Sequence, residues 1–229
     1  AYYHDHFFDA SLLFGEYHRE LLEKGTSSRT RFLISGSATI KDGKSPPKAK
    51  LASKIIYFDQ PAGALLPASV KSKILDMLAN LLLRFPGLSL TVKPHPVGAD
   101  SLLRGFLASV PSARLLPAND AKSVADHLAS HGLSFTAFST TGLEAIASGT
   151  ASLFLNPERA LECGPLAFMS DYVVPSGSEL VEAVSRLVSE EEHYVEFTRL
   201  QKAALGRHYF LDPFDYRGFL EELGLQTRR

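Results

Sequence analysis

Four short segments carry groups able to handle an anionic ligand. Lys93-Pro94-His95-Pro96 holds one imidazole between two prolines, whose rings fix the backbone on either side. A histidine held that way can donate to a phosphate oxygen or act as a general acid near neutral pH, and Lys93 adds a positive charge beside it. Ser139-Thr140-Thr141-Gly142 joins an apolar run to a helical pattern. Hydroxyls and free N–H groups at a helix start favour an anion, and Gly142 is expected to let a phosphate approach the backbone. Glu144 follows one turn later, where its carboxylate could accept two hydrogen bonds from a ribose diol. Gln60-Pro61 and Asn156-Pro157-Glu158-Arg159 each end a further apolar run. The Ser139 segment, the His95 segment and Glu144 each have an ordinary alternative: a helix cap, an exposed histidine after a proline-terminated strand, a first-turn glutamate stabilised by the helix dipole.

Other chemistries lack their patterns. There is no G-x-x-x-x-G-K-[ST] loop, no G-x-G-x-x-G and no G-x-S-x-G elbow, which argues against P-loop, dinucleotide and α/β-hydrolase sites. His127 and His131 have the i, i+4 spacing of two zinc ligands, but no H-E-x-x-H surrounds them. They read as a solvated helix end with Gly132 as its C-cap. One cysteine, Cys163, allows neither an intrachain disulfide nor a cysteine-based zinc site, and fits a reducing compartment. No metal site is expected.

The elements that must position these groups alternate. Strands are expected at 31–36, 54–60, 88–93, 113–116, 133–138 and 151–155, apolar throughout, as in a parallel sheet covered on both faces. Helical spacing lies between them. Val70, Ile74, Leu78, Leu81, Leu82 and Phe85 form the clearest stripe, with shorter helices at 101–110, 121–131 and 142–148. Alternation of this kind gives βαβ units and an α/β, Rossmann-like fold with helices on both faces. Ligands of such sheets sit at the carboxyl ends of the strands, where all four polar segments fall. Phe7, Leu12, Leu13, Tyr17, Leu21 and Leu22 suggest one N-terminal helix, and 37–53 reads as a flexible loop. About three helices close the chain, with S-x-x-E starts at Ser176 and Ser189 and a cap at Asp212-Pro213.

The 229 residues carry 24 Lys plus Arg against 25 Asp plus Glu, so a non-specific nucleic-acid binder is not expected. No apolar run approaches the roughly 20 residues of a membrane helix, so no transmembrane segment is expected.

Lys93-Pro94-His95-Pro96, followed by Phe138-Ser139-Thr140-Thr141-Gly142-Leu143-Glu144-Ala145, resembles the nucleotide-binding half of GT-B glycosyltransferases. The resemblance is to the bacterial sialyltransferase, polysialyltransferase, capsule Kdo-transferase and CDP-glycerol transferase groups, which share a His-Pro and a Ser-Ser or Ser-Thr motif. It covers residues 54–156 well and the terminal helices loosely. It implies that His95 contacts the donor phosphate or assists its departure, while Ser139 and Thr140, with Lys93, Pro96, Thr141 and Gly142 beside them, bind that phosphate. Glu144 would hold the ribose, and Gln60-Pro61 would face the cleft. The implied reaction transfers a sugar such as sialic acid or Kdo from a CMP-linked donor to a bacterial surface glycan, on a glycan or lipid-linked acceptor, without a metal. The implied place is the cytoplasm, peripheral at the inner face of the membrane. Residues 1–36 would be the edge of an acceptor-side domain otherwise missing, and 54–229 the nucleotide-sugar domain. A UDP-sugar 2-epimerase-like enzyme and a non-catalytic nucleotide-binding domain remain as alternatives.

Overall fold

The computed structural model describes residues 10–23, 31–37, 40, 46–162, 164–209, 211 and 221. The chain divides into two units, Ala1–Asp42 with Leu205–Arg229, and Gly43–Ala204.

In the first unit, β1 (Ala10–Leu13), α1 (Glu16–Glu23) and β2 (Arg31–Ile34) form a β-α-β unit. The strands are parallel, with Ala10 opposite Arg31 and Leu13 opposite Ile34. This corrects the single N-terminal helix. A short apolar run reads equally as strand or helix turn, and pairing with β2 decides for strand. The Ser35 amide continues the ladder by donating to Leu13 O at 2.8 Å. Residues 1–9, which include Phe7, lie outside the described residues.

The second unit runs β3 (Lys54–Phe58), α2 (Ala68–Arg84), β4 (Ser89–Lys93), α3 (Ser101–Ser109), β5 (Ala113–Leu115), α4 (Val124–Leu128), β6 (Leu133–Thr136), α5 (Thr140–Ala147), β7 (Ala151–Leu155), β8 (Val173–Val174) and α6 (Gly177–Ser189). The helix α7 (Glu191–Gly206) follows. Its six-stranded sheet has the order β5-β4-β3-β6-β7-β8, and every pairing is parallel. That is the doubly wound order, with winding reversed between β3 and β6. Five of the strands lie where the sequence puts them, each within three residues at its carboxyl end. β8 is an addition, two residues long and too short to leave a pattern.

Right-handed crossovers put α2 and α3 on one face and α4 and α5 on the other. Ile56 and Phe58 pack against Leu128 of α4 and Ala145 of α5, with Val124 at the margin. The 121–131 helix is cut to Val124–Leu128 because Ser123 and Asp126 close a reciprocal capping box. Ser176 caps α6 as expected, its hydroxyl accepting from the Glu179 amide. Ser189 does not cap α7; its hydroxyl donates to Ser185 O at 2.8 Å, at the end of α6. Asp212-Pro213 lies outside the described residues.

Two long-range devices finish the sheet. Among the described residues the amino half of β7 has no partner strand on its outer side, because β8 pairs only with Phe154 and Leu155. Side chains of α7 take the place of a strand. The buried Tyr194 hydroxyl accepts from the Ala151 amide (3.2 Å) and donates to Gly132 O (2.6 Å), and Gln201 bonds both the amide and the carbonyl of Ser152. Burial pushes the Tyr194 phenol up to about 12, so it keeps its proton. Of the stretch 37–53, residues 46–53 are built in rather than loose. Ala49–Leu51 form a 3-10 turn, and the Lys48 ammonium donates to Leu128 O and Thr150 Oγ1, both at 2.9 Å.

His127 and His131 are buried rather than solvated. His131 bonds His127 O through Nδ1 (2.7 Å) and Thr91 Oγ1 through Nε2 (3.0 Å), and Asp120 sits 2.9 Å from Nε2 of His127. Gly132 does not end the helix in a left-handed turn. Its amide meets Leu51 O and Lys54 O, and a Cβ there would clash with the Leu51 carbonyl carbon and the Ala52 nitrogen. Close backbone approach, not helix capping, calls for glycine there.

Burial lowers the His131 pKa from its usual 6.5. The native state therefore binds its proton less readily than the unfolded chain. The resulting stability is fully present above about pH 6.5 and is lost as pH falls toward the lowered native value. Urea unfolding between about pH 5 and about pH 7.5 should show stability rising with pH, and His131→Gln should flatten that slope. An unchanged slope in the variant would contradict the burial assignment.

Candidate functional site

Three neighbouring strands deliver the candidate residues to one edge. Phe58, the last residue of β3, lies opposite Lys93 of β4 on one side and Thr136 of β6 on the other. The chain then leaves as Asp59-Gln60-Pro61, Pro94-His95-Pro96 and Ala137-Phe138-Ser139. Strands spaced about 4.8 Å apart put the exits of β4 and β6 roughly 10 Å from each other, with β3 between them.

The β3 and β6 loops are tied together. The Gln60 side-chain oxygen accepts from the Phe138 amide at 3.1 Å, immediately before Ser139. Ser139 is the N-cap of α5, with Oγ accepting from the Thr141 amide at 3.3 Å, so its own hydroxyl proton is left to donate. The Gly142 amide is used internally, on Ser139 O. Thr140 is exposed at the first helical position, while Thr141 Oγ1 is buried with no hydrogen-bond partner among the described residues. A buried hydroxyl at a helix start, without a partner, is the kind of group a ligand oxygen satisfies. Glu144 lies half-buried on the second turn.

Gly142 has a packing role. A Cβ there would meet the Phe154 ring at 2.8 and 2.9 Å and Thr136 Cγ2 at 3.0 Å. Glycine is required so that α5 can lie close on β6 and β7, and approach of a phosphate is not needed to explain it. Lys93 is the last residue of β4. Its ammonium turns to Ala118 O (3.4 Å) and Pro117 O (3.5 Å), beyond β5. Its place on the strand is the reason: Lys93 shares the β4 face of Ser89 and Thr91.

His95 is exposed at the tip of a tight turn in which the Gly98 amide donates to His95 O at 2.8 Å. The Val97 amide donates to Nδ1 at 3.4 Å. The neutral ring therefore carries its proton on Nε2, which is left to donate. Pro96 is exposed in the same turn, and Pro61 is half-buried after Gln60.

Beneath these loops is a charged cluster that sequence patterning missed. The Lys71 ammonium, wholly buried on α2, lies 2.8 and 2.9 Å from the two Asp59 oxygens, 2.8 Å from Gln60 O and 2.7 Å from Asp100 Oδ2. Asp100 also caps α3 through the Leu103 amide (2.9 Å) and accepts from the Ala62 amide (3.0 Å). Burial pushes the Asp59 carboxyl up, and Lys71 only partly offsets it. Desolvation acts the same way on Asp100, but hydrogen bonds from Ala62, Lys71 and Leu103 outweigh it and leave its pKa below the usual value. One signal was available: Lys71 precedes Ile74 and Leu75 by three and four positions, which places it on the buried face of α2.

The β7 exit is strained. Glu158 and Arg159 are both left-handed, with φ of 56° and 54°. Asn156 clamps the turn with paired bonds to Leu161, each 2.9 Å, and Glu158 is held by Lys73 at 2.6 Å. Among the described residues, no three His, Cys, Asp or Glu side chains group closely enough to hold a metal, and no helix is long and apolar enough to cross a membrane.

No protein-family model matches the sequence, and no curated protein matches it significantly. Solved structures do match. An S. aureus MnaA structure with UDP superposes with a TM-score of 0.64 at 13% identity, over 96% of this chain and 61% of that one. A pneumococcal O-GlcNAc transferase, GtfA, with UDP and GlcNAc gives 0.54 at 16% identity, over 95% and 46%. A Listeria monocytogenes protein assigned as a UDP-N-acetylglucosamine 2-epimerase gives 0.58 at 13% identity, over 87% and 57%. The likeness is one of fold, a Rossmann-like GT-B half, and the chain spans between 46% and 61% of the length of these structures.

Gly142→Ala should destabilise the protein by about 1–3 kcal/mol, because α5 must lift from the Phe154 ring. Gly142→Ala combined with Phe154→Leu should recover part of that loss in chemical denaturation. A single variant as stable as the parent would refute the packing explanation.

Proposed function

We propose that this chain is the donor half of a glycosyltransferase and holds a nucleotide-activated sugar at the carboxyl ends of β3, β4 and β6. The observation that carries the reading is the start of α5 at the winding reversal. There, Ser139, Thr140 and the unpartnered Thr141 hydroxyl lie across β3 from the His95 loop. The phosphate oxygens would take hydrogen bonds from the Ser139 and Thr140 hydroxyls and sit in the positive field of the helix start. The His95 Nε2–H would donate to the phosphate as the bond from sugar carbon to phosphate oxygen breaks and negative charge gathers on the leaving nucleotide. Glu144 would take the ribose hydroxyls, with Gln60-Pro61 lining the cleft.

The donor in this reading is a CMP-linked acid sugar such as sialic acid or Kdo. The acceptor is a bacterial surface glycan or its lipid-linked precursor, worked on at the inner face of the membrane. A separate acceptor-side domain would bring the acceptor and a base. No metal is needed when hydroxyls, helix dipole and imidazole receive the phosphate charge. A UDP-sugar 2-epimerase is the second reading, favoured by the fold likeness to the Listeria protein.

Thermal shift with CMP, CDP, UMP, UDP and ADP separates them. CMP at about 100 times its Kd should add about 2.7 kcal/mol of stability, protection by UDP alone would favour the epimerase, and protection by none would sink both. In the intact enzyme, His95→Ala and the Ser139→Ala/Thr140→Ala pair should each lower turnover by about 10²–10³-fold, and a chelator should leave it unchanged. Wild-type turnover and nucleotide affinity in both variants would refute the assignment.

A further inference from the structure

We infer that Lys71 is a positioning residue of this site, its buried ammonium locking the loops that leave β3 and β4 and, through Gln60, the loop that leaves β6. The inference rests on the nucleotide-site reading and adds to it a residue that touches no ligand. An ammonium has three N–H donors, and here they face three acceptors: the Asp59 carboxylate, Gln60 O and Asp100 Oδ2. Each acceptor belongs to a loop at the candidate site or to its anchor. Asp59 and Gln60 begin the β3 exit, and the Asp59 amide bonds Lys93 O at 3.0 Å, next to the His95 turn. Asp100 ends the β4 exit and ties it to the Ala62 amide of the β3 exit. Gln60, whose carbonyl Lys71 holds, reaches with its side chain to the Phe138 amide. The hydrogen bonds run without a gap from a single buried charge to the segment before Ser139.

A cation at this depth is out of proportion to helix–sheet packing, which the neighbouring Ile74, Leu75 and Leu78 already provide. What it adds is direction. Hydrogen bonds to one nitrogen fix the separation of two loops, whereas apolar contacts let them slide.

The experiment removes charge and counter-charge together, as Lys71→Met/Asp59→Asn, so that no carboxylate is left buried opposite a missing cation at Asp59. Hydrogen exchange of the free protein should quicken about 10-fold or more in 59–66, 93–100 and 137–139, while 55–58 and 151–155 keep their rates. The Kd for CMP, measured where circular dichroism shows the variant fully folded, should weaken about 10-fold or more. Leu187→Ala, buried near the carboxyl end of α6, serves as a control of lowered stability and should leave that Kd unchanged. Uniform quickening, no quickening, or local quickening with an unchanged Kd would each overturn the inference. If the parent protein binds no nucleotide, the site reading fails on its own, and exchange alone decides whether Lys71 couples the loops.

Discussion

The reversal of winding at β3 is the constraint on which the rest depends. Crossovers from β3 to β4 and β5 lay α2 and α3 on one face, while those leading to β6 and β7 lay α4 and α5 on the other. In open sheets of this kind, helices that diverge from one strand leave its carboxyl end as the place where a ligand can bind, with no special residue required. What residues can do is furnish it. The chain puts a proline-bounded histidine on one side, a hydroxyl-rich helix start on the other and a glutamine between them.

Holding such an edge together is an electrostatic problem as much as a packing one. Loops at the ends of buried strands have few apolar side chains to anchor them, and their backbone groups need partners. This protein answers with a buried ion cluster in which Lys71 faces two carboxylates. Such a cluster is weak grounds for stability, because desolvation cancels much of the attraction, and its value lies in fixing geometry. At the opposite end of the sheet the same need is met by neutral groups, Tyr194 and Gln201, which stand in for a missing strand.

Glycine serves close approach in both places. Gly132 lets β6 begin against the turn before β3, and Gly142 lets α5 settle on Phe154. In each case the side chain that is absent matters because of a neighbour far away in sequence. A glycine after serine and threonine looks like an accommodation for phosphate when only the local sequence is in view, and the packing reason needs coordinates.

The sequence by itself determined the alternation of strands and helices, the parallel sheet and the edge to which the His95 and Ser139 segments belong. Those properties follow from local periodicity and from prolines and caps, which act over a few residues. Tertiary structure alone decided that Ala10–Leu13 is a strand, that His127 and His131 are buried, that Lys93 turns to the β5 side and that Lys71 joins Asp59 to Asp100. Each depends on a partner at least several residues away whose arrival no local pattern announces. The free energy of pairing or burying a group belongs to both partners, and one stretch of sequence states only half of it.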